Sequence, residues 1–403
     1  MRIIGSPAHL PGRSDTALLR RVTGTSGFVA SAKTLAPATG LQHGVSLRPI
    51  DALHLLAYVT RPRYQDGLRD LYAHWGLLRY LGFFELQDSG DLLPELKLSP
   101  SCRSIVGTQR RVASEEMGIA FGALLALRWF KRTGAAGAPI SIVDIDAALD
   151  ARYVFAGAIR PLGARRLDYL LISHNAATPA RYRIRVLECK GTRRPGHAVK
   201  QLARALSQLD GISVGGRVPA GLATAVITSD DQVSYLAIDP ADEEEPLYGI
   251  DSEMTDLDQS FRIEGDRTDL PPGWLIGAAV NASRASLADF GGNLGAVERW
   301  APEVVRRRPR DRVRFETPFG TARGTAIAFN FNGTRLTVRY AIDETVDREL
   351  SQGDAESVTG VQTDFAARLS QTETWLSQPD NEIDTNRLYS ATPDGSIFSL
   401  SLE

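Results

Sequence analysis

Cysteine is almost absent from this chain: Cys102 and Cys189 are the only two in 403 residues, far apart and in segments of different character. Neither a disulfide framework nor a cysteine-rich zinc site can be built from them. Histidine is scarce too, with six scattered residues and no HxxxH or HxH spacing, so a histidine-based metal centre has no support. No stretch nears the ~18 uncharged apolar residues of a membrane span. Met1 to Arg13 holds Pro and Gly in place of an apolar run behind basic residues. A cytoplasmic protein with no membrane partner is therefore expected. Lysine is the last deficit: Lys33, Lys97, Lys131, Lys190 and Lys200 stand among 46 basic residues, the rest being Arg. A lysine kept against that bias is informative, because arginine fills most solvated roles but does not readily give up a proton.

What is present is ordinary in bulk and uneven in detail. The length suits two or three domains, and 43% hydrophobic with 23% charged residues is typical of a globular protein. The net charge of −2 names no partner. Its distribution says more. Between Arg165 and Arg204 ten basic residues meet only two acidic ones, Asp168 and Glu188, a local excess that marks a candidate polyanion-binding face. A solvated charged surface is the plainer reading of such a run taken alone.

Residues 1–105 read as a mostly helical recognition or cap region, with helical patterns at Pro49–Val59 and Gln65–Leu81. From Ser114, a candidate N-cap, to Phe130 apolar and small residues recur at helical spacing, and Gly134-Ala-Ala-Gly-Ala-Pro139 stops the pattern. The period then changes. Tyr153–Ile159, Arg166–Ile172 and Tyr182–Lys190 read as a three-stranded antiparallel meander. A helix follows from Pro195 to Gly211, then a buried strand at Leu222–Thr228. The acidic stretch Asp242–Glu245 marks a boundary, so residues 106–240 form a core and 241–403 a mixed, partly β region with a hairpin signal at Asn332-Gly333.

Alternation along Tyr182–Lys190 puts Tyr182, Ile184, Val186, Glu188 and Lys190 on one face. An apolar row thus ends in two ionisable groups, which costs desolvation unless they are paired or bind something charged. Across the hairpin, Asp168 is a lone acid in an apolar strand, placed by antiparallel pairing within a residue or two of Glu188. Two carboxylates at that spacing make a hard-oxygen site suited to Mg²⁺, with Lys190 beside it. The plainer alternative is an ion pair at a solvated strand end.

Asp168, then Glu188-Cys189-Lys190, between a helix holding Glu115-Glu116 and a helix holding Lys200-Gln201, resembles the PD-(D/E)xK nuclease superfamily, which includes restriction endonucleases and RecB-like and Mrr-like enzymes. The resemblance spans roughly Arg111 to Asp239 and implies an α/β fold with a restriction-endonuclease-like αβββαβ core. It implies a metal-dependent nuclease, using Mg²⁺ or Mn²⁺, that hydrolyses phosphodiester bonds of DNA ahead of RNA. Restriction or antiviral defence, with a homodimer or a partner protein of such a system, is the implied context. Asp168 and Glu188 would hold the metal with the main-chain carbonyl of Cys189 and a helical carboxylate, Glu116 or, second, Glu115. Lys190 would position the attacking water, and Gln201 would be the polar residue of the following helix. Arg181, Arg183, Arg185, Arg193, Arg194 and Lys200 would meet phosphates. Leu167 stands where the motif name has Pro, and the helical Glu lies far ahead of Asp168, the extra length falling at Gly134–Arg152 as an inserted strand or loop. A non-catalytic nucleic-acid-binding or scaffold module is the competing reading, although such a copy would be expected to have lost one of the three charged residues.

Overall fold

The computed structural model describes residues 1–31, 33–60, 78–90, 92–133, 138–149, 166–175, 178–241, 246–249, 262–264, 267–301, 311–331, 333–376 and 386–403. The chain is mixed α/β. Its central sheet is preceded by α1 (Gly107–Thr133) and opens with a meander of β1 (Ile140–Asp144), β2 (Tyr169–Asn175) and β3 (Thr178–Thr192). Both pairings of the meander are antiparallel. The chain then crosses through α2 (Pro195–Leu209) to β4 (Ala220–Thr228), which lies parallel to β3, and returns in β5 (Val233–Ala241). Gly12–Arg13 and Thr34–Ala36 pair with β5 and extend the sheet.

This order of helix, three strands, helix and strand is the one the sequence suggests, with one element exchanged. The strand beside β2 is Ile140–Asp144, a stretch taken from sequence as insertion, whereas Tyr153–Ile159 lies outside the described residues. A five-residue strand directly after a Gly-Ala-Pro stop is too short for its alternation to stand out. The long helix also starts earlier than Ser114. Ser114 is buried inside it, 3.0 Å from the Arg110 carbonyl and 2.9 Å from Thr228 Oγ1. The additional turn is held by Arg110, which is fully buried, donates to the carbonyls of Cys102 and Arg103 and pairs with Asp230.

The sheet separates two apolar layers. Tyr169, Leu171, Leu187 and Cys189 pack with Phe121, Leu125 and Trp129 of α1. Leu170, Ile172, Ile184 and Val186 pack instead with Leu202 and Leu206 of α2 and with Trp274. The helices α1 and α2 therefore cover opposite faces, as the two periodicities require when each strand buries both sides.

The N-terminal region holds strands as well as helices. It holds a sheet in the order Val45–Leu47, Ala8–Leu10, Glu95–Leu98, Phe84–Gln87 beside the expected helix Pro49–Val59. Its strands are three or four residues long, too short for a period-2 signal. Most of Gln65–Leu81 lies outside the described residues. Toward the C-terminus an antiparallel sheet runs Val313–Thr317, Gly320–Phe331, Thr334–Asp343, Ser396–Leu402, Arg387–Ala391. Its Gly320–Phe331 and Thr334–Asp343 strands pair until Phe331 faces Thr334, and Gly333 takes φ 85°. That conformation is the one an Asn-Gly hairpin needs.

Candidate active site

The end of β3 is fixed from behind by glycine. A Cβ on Gly191 would sit 1.7 Å from the Ser114 carbonyl oxygen, and one on Gly118 would sit 2.6 Å from the Gly191 nitrogen. Strand and helix backbones thus touch where the charged pair begins. On the other face of β3, the alternation that buries Ile184 and Val186 against α2 carries Glu188 and Lys190 to the same side.

Pairing of Tyr169 with Leu187 sets Asp168 opposite Glu188. Each carboxylate holds main chain of the neighbouring strand: the Asp168 amide donates to Glu188 Oε2 at 2.9 Å, and the Cys189 amide donates to Asp168 Oδ2 at 2.9 Å. Lys190 Nζ donates to the remaining oxygen, Glu188 Oε1. Glu188 is 0% exposed. Burial, then the neighbouring Asp168 charge, pushes its carboxyl up to about 8, against the pull of Lys190. Burial also raises Asp168, with Lys190 opposing and the nearby Asp144 adding to the rise. For Lys190 burial works toward deprotonation, but Glu188 and Asp168 outweigh it and hold the ammonium above its usual range. Two acids and one ammonium leave this buried cluster one positive charge short, and both acids respond by binding protons more tightly.

That deficit and the hard-oxygen donors fit a divalent cation. Among the described residues no three His, Cys, Asp or Glu side chains gather into a metal-holding group. Asp168 and Glu188 would therefore be the only side-chain ligands described, with the Cys189 carbonyl, water and substrate oxygens supplying the rest.

The helical acid is placed differently from the sequence preference. Glu116 turns to the N-terminal region, where the Tyr80 hydroxyl donates to it and Arg79 pairs with it at 3.5 Å. Glu115 is exposed beside Arg111 at 3.9 Å, and its Cα abuts Gly191. Helical geometry explains the exchange. Ser114, Gly118 and Gly122 form the stripe against β3, and Glu116 lies two residues from both Ser114 and Gly118, about 200° round the helix from the sheet. Gln201 is half-buried on α2, its Oε1 enclosed without a hydrogen-bond partner.

Among the basic candidates Arg181, Arg193, Arg194 and Lys200 are exposed, and Arg183 is half-buried. Arg193 lies 3.8 Å from Asp230. Arg185 does not belong with them: it is 4% exposed, stacked on Trp129 and Phe130, and bonded to the Thr133 carbonyl at 3.1 Å. A cation at the C-terminus of α1 complements the helix dipole, which makes Arg185 a structural cap. Asp144, which perturbs Asp168, escaped the sequence reading because it lies in the stretch taken as insertion; the Ile145 amide beside it donates to the Asp168 carbonyl at 3.2 Å. Compared with known protein families, with curated proteins and with solved structures, the chain finds no match.

Proposed function

We propose that the protein is a metal-dependent nuclease of the PD-(D/E)xK kind that hydrolyses phosphodiester bonds, DNA being the substrate that the resemblance favours. The observation that carries this reading is the meeting of Asp168, Glu188 and Lys190 on one face at the end of two paired strands. A helix before the strands, a meander, and a helix leading to a parallel strand flank them, an order that supports the resemblance. A scaffold would have no use for two carboxylates buried side by side, both of which burial pushes toward the protonated form.

Asp168 and Glu188, with the Cys189 carbonyl, would hold Mg²⁺ or Mn²⁺. The bound cation would acidify a water and neutralise charge on the scissile phosphate. The remaining work falls to the chain. The Asp168 and Cys189 amides fix the carboxylate oxygens, so little reorganisation is needed during reaction. Lys190, tethered to Glu188, keeps an ammonium where it can orient the attacking water and offset charge growing on the phosphoryl oxygens. Water attacks phosphorus as the bond from phosphorus to the ester oxygen breaks; one of the water's protons ends on the leaving oxygen, which becomes the product hydroxyl, and the other stays on the new phosphate monoester or passes to solvent. A homodimer, or a partner protein in restriction or antiviral defence, would suit a site that cuts one strand at a time.

Purified protein incubated with plasmid, linear DNA and single-stranded RNA, with Mg²⁺ or with EDTA, tests the proposal. Metal-dependent cleavage that disappears in Asp168→Ala is expected. Intact substrates in every condition would overturn it.

A further inference from the structure

Several buried polar groups lie away from this site, but their partners are internal. His54 sits between Ser390 and Ser396, fully enclosed, and Arg284 is spent on the Ala355 carbonyl and Thr359. The surface beside the site differs, because several of its cations have no ion-pair partner among the described residues.

The helix α2, Pro195–Leu209, contains no acidic residue along its whole length. It buries Ala198, Leu202, Ala203, Leu206 and Leu209 and exposes Lys200 and Arg204, one turn and about 6 Å apart along the axis. Arg194 is exposed at its N-cap position. A second helix, Thr16–Thr23, packs beside α2, with Leu18 and Val22 in the core that holds Ala203 and Leu206. Within its span it too lacks acids, and it exposes Arg20 and Arg21. Its N-cap Asp15 is occupied by the Leu18 amide and Arg13. None of Arg20, Arg21, Arg194, Lys200 and Arg204 has an ion-pair partner among the described residues. Five cations with no acid paired to them among the described residues, from two stretches remote in sequence, make a positive face that an external polyanion would neutralise.

Both helices lie on the face of the sheet toward which Glu188 and Lys190 project, and α2 starts directly after β3 ends. We infer that α2 and the helix Thr16–Thr23 together form a track that binds the phosphodiester backbone of a nucleic acid and leads it to Asp168 and Glu188. The inference rests on the nuclease reading for its occupant. A nucleic acid fits because its charge is linear and dense, about one per 3.4 Å of axis on each strand, and so matches cations set out along helices. A membrane surface would call for apolar anchors between the basic residues. The exposed large apolar side chains among the described residues are Ile3, Val29, Leu92, Val106 and Val313, none of them on either helix. The track also replaces the strand arginines as the main contact, since Arg185 is buried and Arg183 shares its face of β3, away from Glu188.

The test uses the full chain in EDTA with a labelled DNA single strand and the matching duplex. Two double variants, Lys200→Glu with Arg204→Glu and Arg20→Glu with Arg21→Glu, change exposed positions and keep their helices. Each is expected to lose about tenfold or more in affinity and to flatten the salt dependence by about 1.5 to 2 in log–log slope, as loss of two phosphate contacts requires. Wild-type affinity and slope in both variants would overturn the track, as would a wild-type protein that binds acidic polypeptide but no nucleic acid. Cleavage in Mg²⁺ separates the two proposals. Binding that depends on these residues without cleavage sinks the nuclease reading alone, whereas variants that bind and cut like wild type sink the track alone.

Discussion

Asp168, Glu188 and Lys190 can be buried together only because each offsets part of another's desolvation. Removing one leaves the others unbalanced, in different ways. Lys190→Ala should abolish cleavage while Mn²⁺ still binds, whereas Asp168→Ala should lose both. Metal titration above pH 8, where Glu188 is ionised, together with cleavage on the same preparations, checks this. A folded Lys190→Ala protein that cuts at wild-type rate would refute the assignment. The raised Glu188 carboxyl also predicts how stability follows pH. In the folded protein it keeps its proton up to about 8, whereas in the unfolded chain it loses it near 4.5. The stabilisation is therefore full below the unfolded value and is lost as pH rises toward the folded one. Metal-free protein should unfold at lower temperature at pH 8 than at pH 5 through this group. The fall should be smaller in Glu188→Gln, and an identical pH profile for that variant would count against the burial described.

At the scale of elements, the site depends on how closely α1 lies on β3. The Gly191 contact with the Ser114 carbonyl is between main chains, so no side-chain rotation can relieve an added methyl. Gly191→Ala should cost about 1–3 kcal/mol or more, and should lower activity by displacing Glu188 and Lys190 although no charge changes. Gly196, in the first turn of α2, has nothing within 4 Å of its would-be Cβ. Its alanine variant should be neutral or more stable by up to about 1 kcal/mol. Urea unfolding of the two variants side by side makes the comparison, and equal stabilities would show that the close approach does not matter. Arg185 belongs to the same scale: a cation from β3 closes the C-terminal end of α1, joining the two elements at a second point.

Across the whole molecule, the N-terminal and C-terminal regions share one interior. Ile50, Leu53 and Tyr58 of the helix Pro49–Val59 lie in the same apolar cluster as Tyr340, Phe398 and Leu400 of the C-terminal sheet. Buried polar contacts tie the regions further. Tyr58 donates to Asp394 Oδ2 at 2.7 Å, and His54 meets Ser390 and Ser396 at 3.0 and 3.1 Å. Burial raises the Asp394 carboxyl and lowers His54 to about 3, so the histidine is neutral in this setting. Tyr58→Phe would remove a donor from a buried carboxyl, costing about 1–3 kcal/mol. Because the interior is shared, this loss should shift a single unfolding transition reported alike by near-UV and far-UV circular dichroism. A separate early transition of the N-terminal region would contradict a common core.

Sequence alone determined which residues could form a site and on which side of the sheet. Period-2 alternation along Tyr182–Lys190 necessarily aligns Glu188 with Ile184 and Val186, and pairing through one hairpin brings Asp168 across. The long helix, the helix after Pro195 and the Asn332-Gly333 turn were legible for the same reason: each rests on local spacing or local backbone chemistry. Tertiary structure decided what local patterns do not encode. Whether Glu115 or Glu116 lies nearer β3 depends on the rotation of α1, which is set by the Gly118–Gly191 contact between segments remote in sequence. The same packing decides that Arg185 is buried while Lys200 and Arg204 stay in water, a difference invisible in a run of basic residues. Charge and period are properties of a segment, whereas exposure and partnership belong to the neighbours that long-range packing supplies.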